Sequence, residues 1–139
     1  AGCVEVLLVH PGGPFWKNKD EGAWSIPKGE FTDSEDPLAV ARREFQEELG
    51  QPIDGNFAPL APIKQRGGKT VYAWSIEADV DISQTPSNTF TIEWPPRSGK
   101  QQEFPEIDRV AWFPLDFAME RINAGQQELL RQLQLHCDR

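Results

Sequence analysis

Glu44, Glu47 and Glu48 fall within the five residues "EFQEE", directly after Arg42 and Arg43. Like charges at three- and four-residue steps repel one another on a helix. Two readings account for such a cluster: a solvated face where the repulsion costs little, or a ridge that holds a cation. Three features favour the cation. The charges share one ridge and lack the alternation with Lys that stabilises exposed helices. They lie toward the C-terminal half of the helix predicted here, where the macrodipole disfavours anions. The nearby sequence offers only the two arginines as counter-charge. Hard oxygen ligands select Mg²⁺, Mn²⁺ or Ca²⁺. An EF-hand is excluded, because "DSEDPL" lacks the glycine and the spacing of that loop. A few carboxylates with positions left open for water and phosphate describe a Mg²⁺ site of catalytic type. Phosphate oxygens, repelled by the bare cluster, would be drawn to it once a cation neutralises it.

A helix must position these groups, and the sequence punctuates one clearly. Ser34 or Asp36 serves as N-cap, Pro37 suits the first turn, and Gly50 suits the C-terminal cap with Pro52 just beyond. Leu38, Ala41, Phe45 and Leu49 recur at three- and four-residue steps as the apolar stripe. The glutamates then lie at the margin of the buried face, and Arg43, four residues before Glu47, is placed to pair with it. "VEVLLVH" (4–10), "AWSIP" (23–27), "VYAWSIEA" (71–78) and "RVAWF" (109–113) read as strands, with "NTFTIEW" (88–94) a weaker one ended by Pro95. "PGGPFWKNKDEG" (11–22) reads as a loop. A last helix is expected after Pro114, capped by Asp116 and broken near Gly125. Strands interleaved with two helices predict an α/β or α+β sandwich.

Composition removes several classes. A chain of 139 residues with 38% hydrophobic content is long enough for one core and most economically forms one domain. No apolar run approaches a membrane span, and no secretory h-region opens the chain. The sequence opens on Ala1 without an initiator methionine, which is in keeping with upstream residues lying outside it. The cysteines, Cys3 and Cys137, make no disulfide framework or metal motif, so the expected location is cytoplasmic. His10 and His136 are too far apart in sequence to predict a histidine-rich metal site. Net charge is −8, which disfavours duplex nucleic acid as partner. The acidity is local: 30–48 contains seven acidic and two basic residues, or −5 of that total.

Gly29, five residues, Glu35, seven residues, then Arg43-Glu44-Phe45-Gln46-Glu47-Glu48-Leu49-Gly50 resembles the Nudix box of the Nudix hydrolases. Only the last position departs, where Gln51 replaces an apolar residue; Ile53 is expected to supply the missing contact. The resemblance implies an α/β/α sandwich with a mixed sheet, the box helix on one side and the C-terminal helix on the other, over a single domain 1–139. It implies hydrolysis of a pyrophosphate bond in a nucleoside diphosphate-linked or polyphosphate substrate, with Mg²⁺ or Mn²⁺ as cofactor. Glu44, Glu47 and Glu48 would be metal ligands, Glu47 or Glu48 acting also as base; Arg43 would orient a glutamate. Glu35 would support the helix start, Gly29 would let the loop turn tightly, and Gly50 would close the helix. The alternative is a catalytically silent nucleotide-binding module of the same fold, disfavoured because every box carboxylate is retained.

Further candidates lie outside the helix. Lys28 in "IPKGE" is either an exposed lysine or a point charge for a distal phosphate. Its "PKG" is similar to the branches that cleave dinucleoside polyphosphates or diphosphoinositol polyphosphates, and the dinucleoside class is favoured. Glu106, with Glu103 behind it, is placed in a loop before a Trp-bearing strand, where the resemblance implies one more ligand or base. Trp16, Trp24 and Phe15 flank the loop leading to the box, where an aromatic plane can stack on a base; Trp74 and Trp112 are expected in the core. Lys64, Arg66, Lys69, Arg97 and Lys100 are loop cations, solvated or forming a rim for a polyphosphate.

Overall fold

A computed structural model describes residues 5–28, 31–32, 34–65, 67–83 and 88–137, with side chains to 135. Its spine is an antiparallel pair. Strand β1 (Glu5–Pro11) runs against β8 (Ile107–Pro114), with Leu7 opposite Trp112 and His10 opposite Arg109. Alternation along β1 sends side chains to opposite faces. Leu8 packs with Trp24, Ala118, Ile122 and Leu130. Val9 packs with Phe45, Leu49 and Ile107. Ala118 and Leu130 come from the C-terminal helices, and Phe45 and Leu49 from helix α1 (Pro37–Leu49), so a helix layer covers each face of the pair.

Helix α1 begins at Asp36, whose backbone is extended but whose side chain makes no capping bond. It ends at Gly50, left-handed at φ 73°, with its N–H on the Gln46 carbonyl. The fully buried stripe is Val40, Phe45 and Leu49, while Leu38 and Ala41 are only half-buried. The expected stripe is therefore turned toward Val40. Gln51, the residue that departs from the box, clasps a neighbouring segment: its amide donates to the Asp81 carbonyl and accepts the Asp81 N–H. Ile53 does pack against the buried cluster that contains Leu49, as the missing apolar position would require.

The strands are shorter than their sequence predicts. "AWSIP" contributes only bridges, Ser25 to Val9 and Trp24 to Ile122. "VYAWSIEA" is split into the end of β4 (Thr70–Val71) and β5 (Trp74–Ser75), paired with β3 (Ile63–Lys64) and β2 (Ala58–Pro59). Pro59 and Pro62 have no N–H to extend the ladders, and Gly67 and Gly68, both at positive φ, turn the chain back. Strand β6 (Thr89–Glu93) forms as expected, and it gains an unexpected partner, β7 (Gln101–Pro105). Among the described residues every ladder is antiparallel and two-stranded, the Trp24–Ile122 bridge being the parallel element.

Helix α2 (Leu115–Arg121) follows Pro114; Asp116 sits inside its first turn, so Pro114 takes the cap position expected for that aspartate. The break falls at Ile122–Asn123, before a single 3₁₀ turn (Ala124–Gln126) and α3 (Gln127–Cys137). No helix among the described residues is long and apolar enough to cross a membrane.

Candidate active site

The exposed margin of α1 carries Glu44, Glu47 and Glu48 because Phe45 and Leu49 fix which way the helix rolls. Glu47 is exposed, Glu44 is about a quarter exposed at its side chain, and Glu48 turns inward. Oε2 of Glu48 is shielded from water and has no hydrogen-bond partner. The Lys28 amide and ammonium lie near enough to this carboxylate to favour its charged form, which sets the residue before the box glycine beside the helix. The Glu48 carboxyl is pushed up to about 8, first by burial and then by the Glu44 and Glu106 charges, with the Lys28 amide and ammonium opposing. Glu44 is also raised, first by burial and then by Glu47, with Glu106 and Glu35 adding and Arg43 opposing.

Glu106 is the single residue between β7 and β8. Its N–H donates to the Asn88 carbonyl (2.8 Å) and its own carbonyl accepts the Gly12 N–H (2.8 Å). That locked backbone puts the Glu106 charge within reach of Glu44 and Glu48. Glu103 is a strand residue and not a loop residue: it stands exposed on β7 opposite Thr91.

Arg43 does not make the expected pair with Glu47. Its guanidinium lies 3.5 Å from Glu35 and 3.9 Å from Glu44. Glu35 accepts the Thr32 N–H (3.0 Å) and hydroxyl (3.2 Å), which holds its carboxyl below the usual range. Thr32, Glu35, Arg43 and Glu44 thus form a string from the loop onto the ridge. An i,i+4 partner lost to one across the loop is a competition that spacing alone does not decide.

Among the described residues no three His, Cys, Asp or Glu side chains converge closely enough to hold a metal ion as they stand. The donor set nevertheless fits a hard cation. An unpartnered buried carboxylate oxygen on Glu48, with the Glu44 and Glu106 charges beside it, lacks only a positive charge.

Trp24 corrects an expectation. It is 3% exposed, donates its indole N–H to Asp20 (2.7 Å), meets the His10 and Phe113 rings edge-on, and is covered by the Arg109 guanidinium at 5.2 Å. No face is free for a base; a Trp at the start of a strand segment became core. Conversely, Trp74 and Trp112, expected in the core, are half-buried and line an open cleft of about 2230 Å³. Lys28, Phe31, Phe57 and Tyr72 share that cleft, with Phe31 edge-on to Tyr72 at 5.7 Å. Trp16 is 40% exposed and Phe15 61%. Lys28, Lys64, Lys69, Arg97 and Lys100 are exposed, whereas Gly29 and Arg66 lie outside the described residues.

Sequence reasoning missed His10. It is fully buried in β1, with Nδ1 2.7 Å from Asp108 Oδ1 and Nε2 2.6 Å from the Lys19 carbonyl. It pins the far end of the 11–19 loop. The only signal was a polar residue ending an apolar run, and its partner lies 98 positions away.

A two-faced α/β sandwich with a carboxylate ridge on one covering helix defines a class, the Nudix hydrolases. The NUDIX domain family model matches residues 3–133, and the chain belongs to that family. It is an enzyme of the kind that hydrolyses phosphoric anhydrides. No curated protein sequence matches the chain. Among solved structures it is similar to a C. elegans Ap4A hydrolase in a binary complex, with a TM-score of 0.62 and 20% identity over 99% of this chain and 89% of that one. It is also similar to the E. coli ORF135 protein in solution, with a TM-score of 0.55 and 19% identity over 94% and 80%. Both likenesses support the fold.

Proposed function

We propose that this chain, as a single Nudix domain over 1–139, is a divalent-metal-dependent pyrophosphohydrolase acting on a dinucleoside polyphosphate. The observation that carries the reading is the buried Glu48 Oε2, unpartnered beside two further carboxylates. An arrangement so costly to the bare protein makes sense as half of a cation site.

Glu44, Glu47 and Glu48 would hold Mg²⁺ or Mn²⁺. Bound there, such an ion supplies neutralisation of phosphate charge and acidification of water. Glu106, fixed through its backbone with its charge felt at Glu44, would take a proton from the attacking water. Arg43 holds Glu44 in place and, through Glu35, ties the ridge to the loop. The Lys28 ammonium, beside Glu48, is a point charge for phosphate beyond the scissile bond. The open cleft carrying Phe31 and Tyr72 offers aromatic edges and faces to a base. The "PKG" variant at 27–29 favours the dinucleoside class, and Ap4A, the substrate named for one structural neighbour, is of that class. The cytoplasm, where such nucleotides occur, remains the expected location.

The test is a panel of dinucleoside polyphosphates, nucleoside triphosphates, sugar nucleotides and diphosphoinositol polyphosphates with Mg²⁺ or Mn²⁺, read by product analysis. Turnover is expected to be greatest for a dinucleoside polyphosphate and to be abolished in Glu47→Gln and Glu48→Gln proteins that still fold. Nucleotide binding without turnover across the panel would instead identify a silent binding module.

A further inference from the structure

The β6–β7 hairpin contributes nothing to either buried cluster, yet it is fastened to the rest of the molecule at defined points. Phe90 packs on Gly13 so closely that a Cβ there would come within 2.7 Å of its ring. At Gly12 a Cβ would fall 2.0 Å from the Pro105 carbonyl oxygen. A two-stranded hairpin is marginal by itself, so these contacts make the hairpin and the 11–19 loop one unit. Phe15 lies edge-on to Trp94 at 5.3 Å, and the Lys19 ammonium stands 5.3 Å from the centre of the Trp16 ring. The Trp94 N–H meets the Lys100 carbonyl at 2.9 Å, which brings the hairpin turn, with Arg97 and Lys100, beside the rings.

The tips of the loop and of the hairpin turn carry cations. Lys17, Lys19, Arg97 and Lys100 gather here in a protein of net charge −8. Among the described residues none of the four is in an ion pair, and two nearby acids have other hydrogen-bond or ion-pair partners. Glu93 accepts the Arg97 N–H (2.7 Å), and Asp20 serves the Trp24 indole (2.7 Å) and Arg121 (3.1 Å). Exposed rings interleaved with cations that make no ion pair are the chemistry that holds a base by stacking and a phosphate by charge. The unit starts at the proposed site, because Glu106 ends the hairpin and its carbonyl holds Gly12.

We propose that the hairpin turn and the Phe15–Lys19 loop bind the distal nucleotide of the substrate, the half farther from the bond that is cut, with Trp16 and Phe15 stacking on its base and Arg97 and Lys100 on its phosphates. The proposal rests on the hydrolase reading above. It makes this corner the determinant of preference for a substrate with two nucleoside ends.

The experiment compares diadenosine tetraphosphate with ATP in the presence of Mg²⁺. Wild-type protein, Arg97→Gln/Lys100→Gln on the hairpin and Trp16→Ala on the loop are each first checked by thermal melting. The ratio of kcat/KM for the dinucleotide to that for ATP is expected to fall about tenfold in both variants, through KM, as loss of one stacked base or its phosphate contacts implies. An unchanged ratio in two folded variants, or equal losses on both substrates, overturns the proposal. Wild-type protein inactive on every dinucleoside polyphosphate overturns the parent reading instead, so the two failures are told apart.

Discussion

A carboxylate oxygen cut off from water without a donor is among the most expensive groups a chain can bury. Glu48 carries one, and its carboxyl is pushed up to about 8 from an ordinary value of 4.5. The sign of the consequence follows from proton binding. Between those two values the folded metal-free protein holds a proton that the unfolded chain has released, so stability falls as pH rises from about 4.5 to about 8 and then levels. Glu48→Gln should remove that slope and make the metal-free protein more stable above pH 8 by about 1–3 kcal/mol. Activity should fall at least about 100-fold, since even residues that only support a ligand cost 10–100-fold. Melting curves against pH and steady-state rates check both. Arg43 gives the complementary case. It is half-exposed, so Arg43→Ala should leave the melting temperature little changed while weakening Mn²⁺ binding about 10–100-fold, measured by titration calorimetry. The spacing of the three glutamates was plain in the sequence. Which one turns inward was not, because that depends on Lys28 and Glu106, brought in by other segments.

Elements decide how the loop before the box is held. Gln126, fully buried in the 3₁₀ turn, accepts the Ile26 N–H at 3.0 Å and exchanges hydrogen bonds with the Ser25 hydroxyl at 3.2 and 3.3 Å. Ser25 is bonded in both directions to Val9. The segment that leads to Lys28, beside Glu48, is thus clamped between β1 and the turn before α3. Gln126→Ala leaves the Ile26 N–H without its partner, an expected loss of about 1–3 kcal/mol by chemical denaturation. It should also lower kcat, because the segment that carries Lys28 past Glu48 is no longer held at a fixed place. Gly50→Ala, forced to a φ of 73°, should cost about 1–2 kcal/mol. Gly50 and the helix it ends were legible because capping chemistry is local. The strands were less so. "VYAWSIEA" has the composition of one long strand, but its partner segment is interrupted by Pro59 and Pro62. "KQQEFPE" has the composition of a loop, and it pairs because the Pro95–Gly99 turn folds it onto β6. Gln126 carries no sequence signal of burial at all; a side-chain amide in a polar run is normally solvated.

The molecule as a whole is acidic, and the site concentrates that acidity, so ion binding should be visible in global stability. A ligand that binds only the native state stabilises it by about 2.7 kcal/mol at 100 times its Kd. For a chain of 139 residues that corresponds to a rise of about 9 °C in melting temperature, taking the usual unfolding entropy per residue. General screening works differently: monovalent salt relaxes self-repulsion over the whole surface and saturates as the Debye length shrinks. The two are separated by melting the protein in MgCl₂ and in KCl of equal ionic strength. Mg²⁺ or Mn²⁺ should add a rise beyond that of KCl, and the excess should vanish together in Glu44→Gln, Glu47→Gln and Glu48→Gln. If the excess survives unchanged in all three, the ion sits elsewhere and the ridge is a solvated helix face after all. If it disappears in Glu48→Gln alone, the inward carboxylate binds the ion without the other two, and the proposed ligand set shrinks to the group whose buried oxygen first asked for a partner.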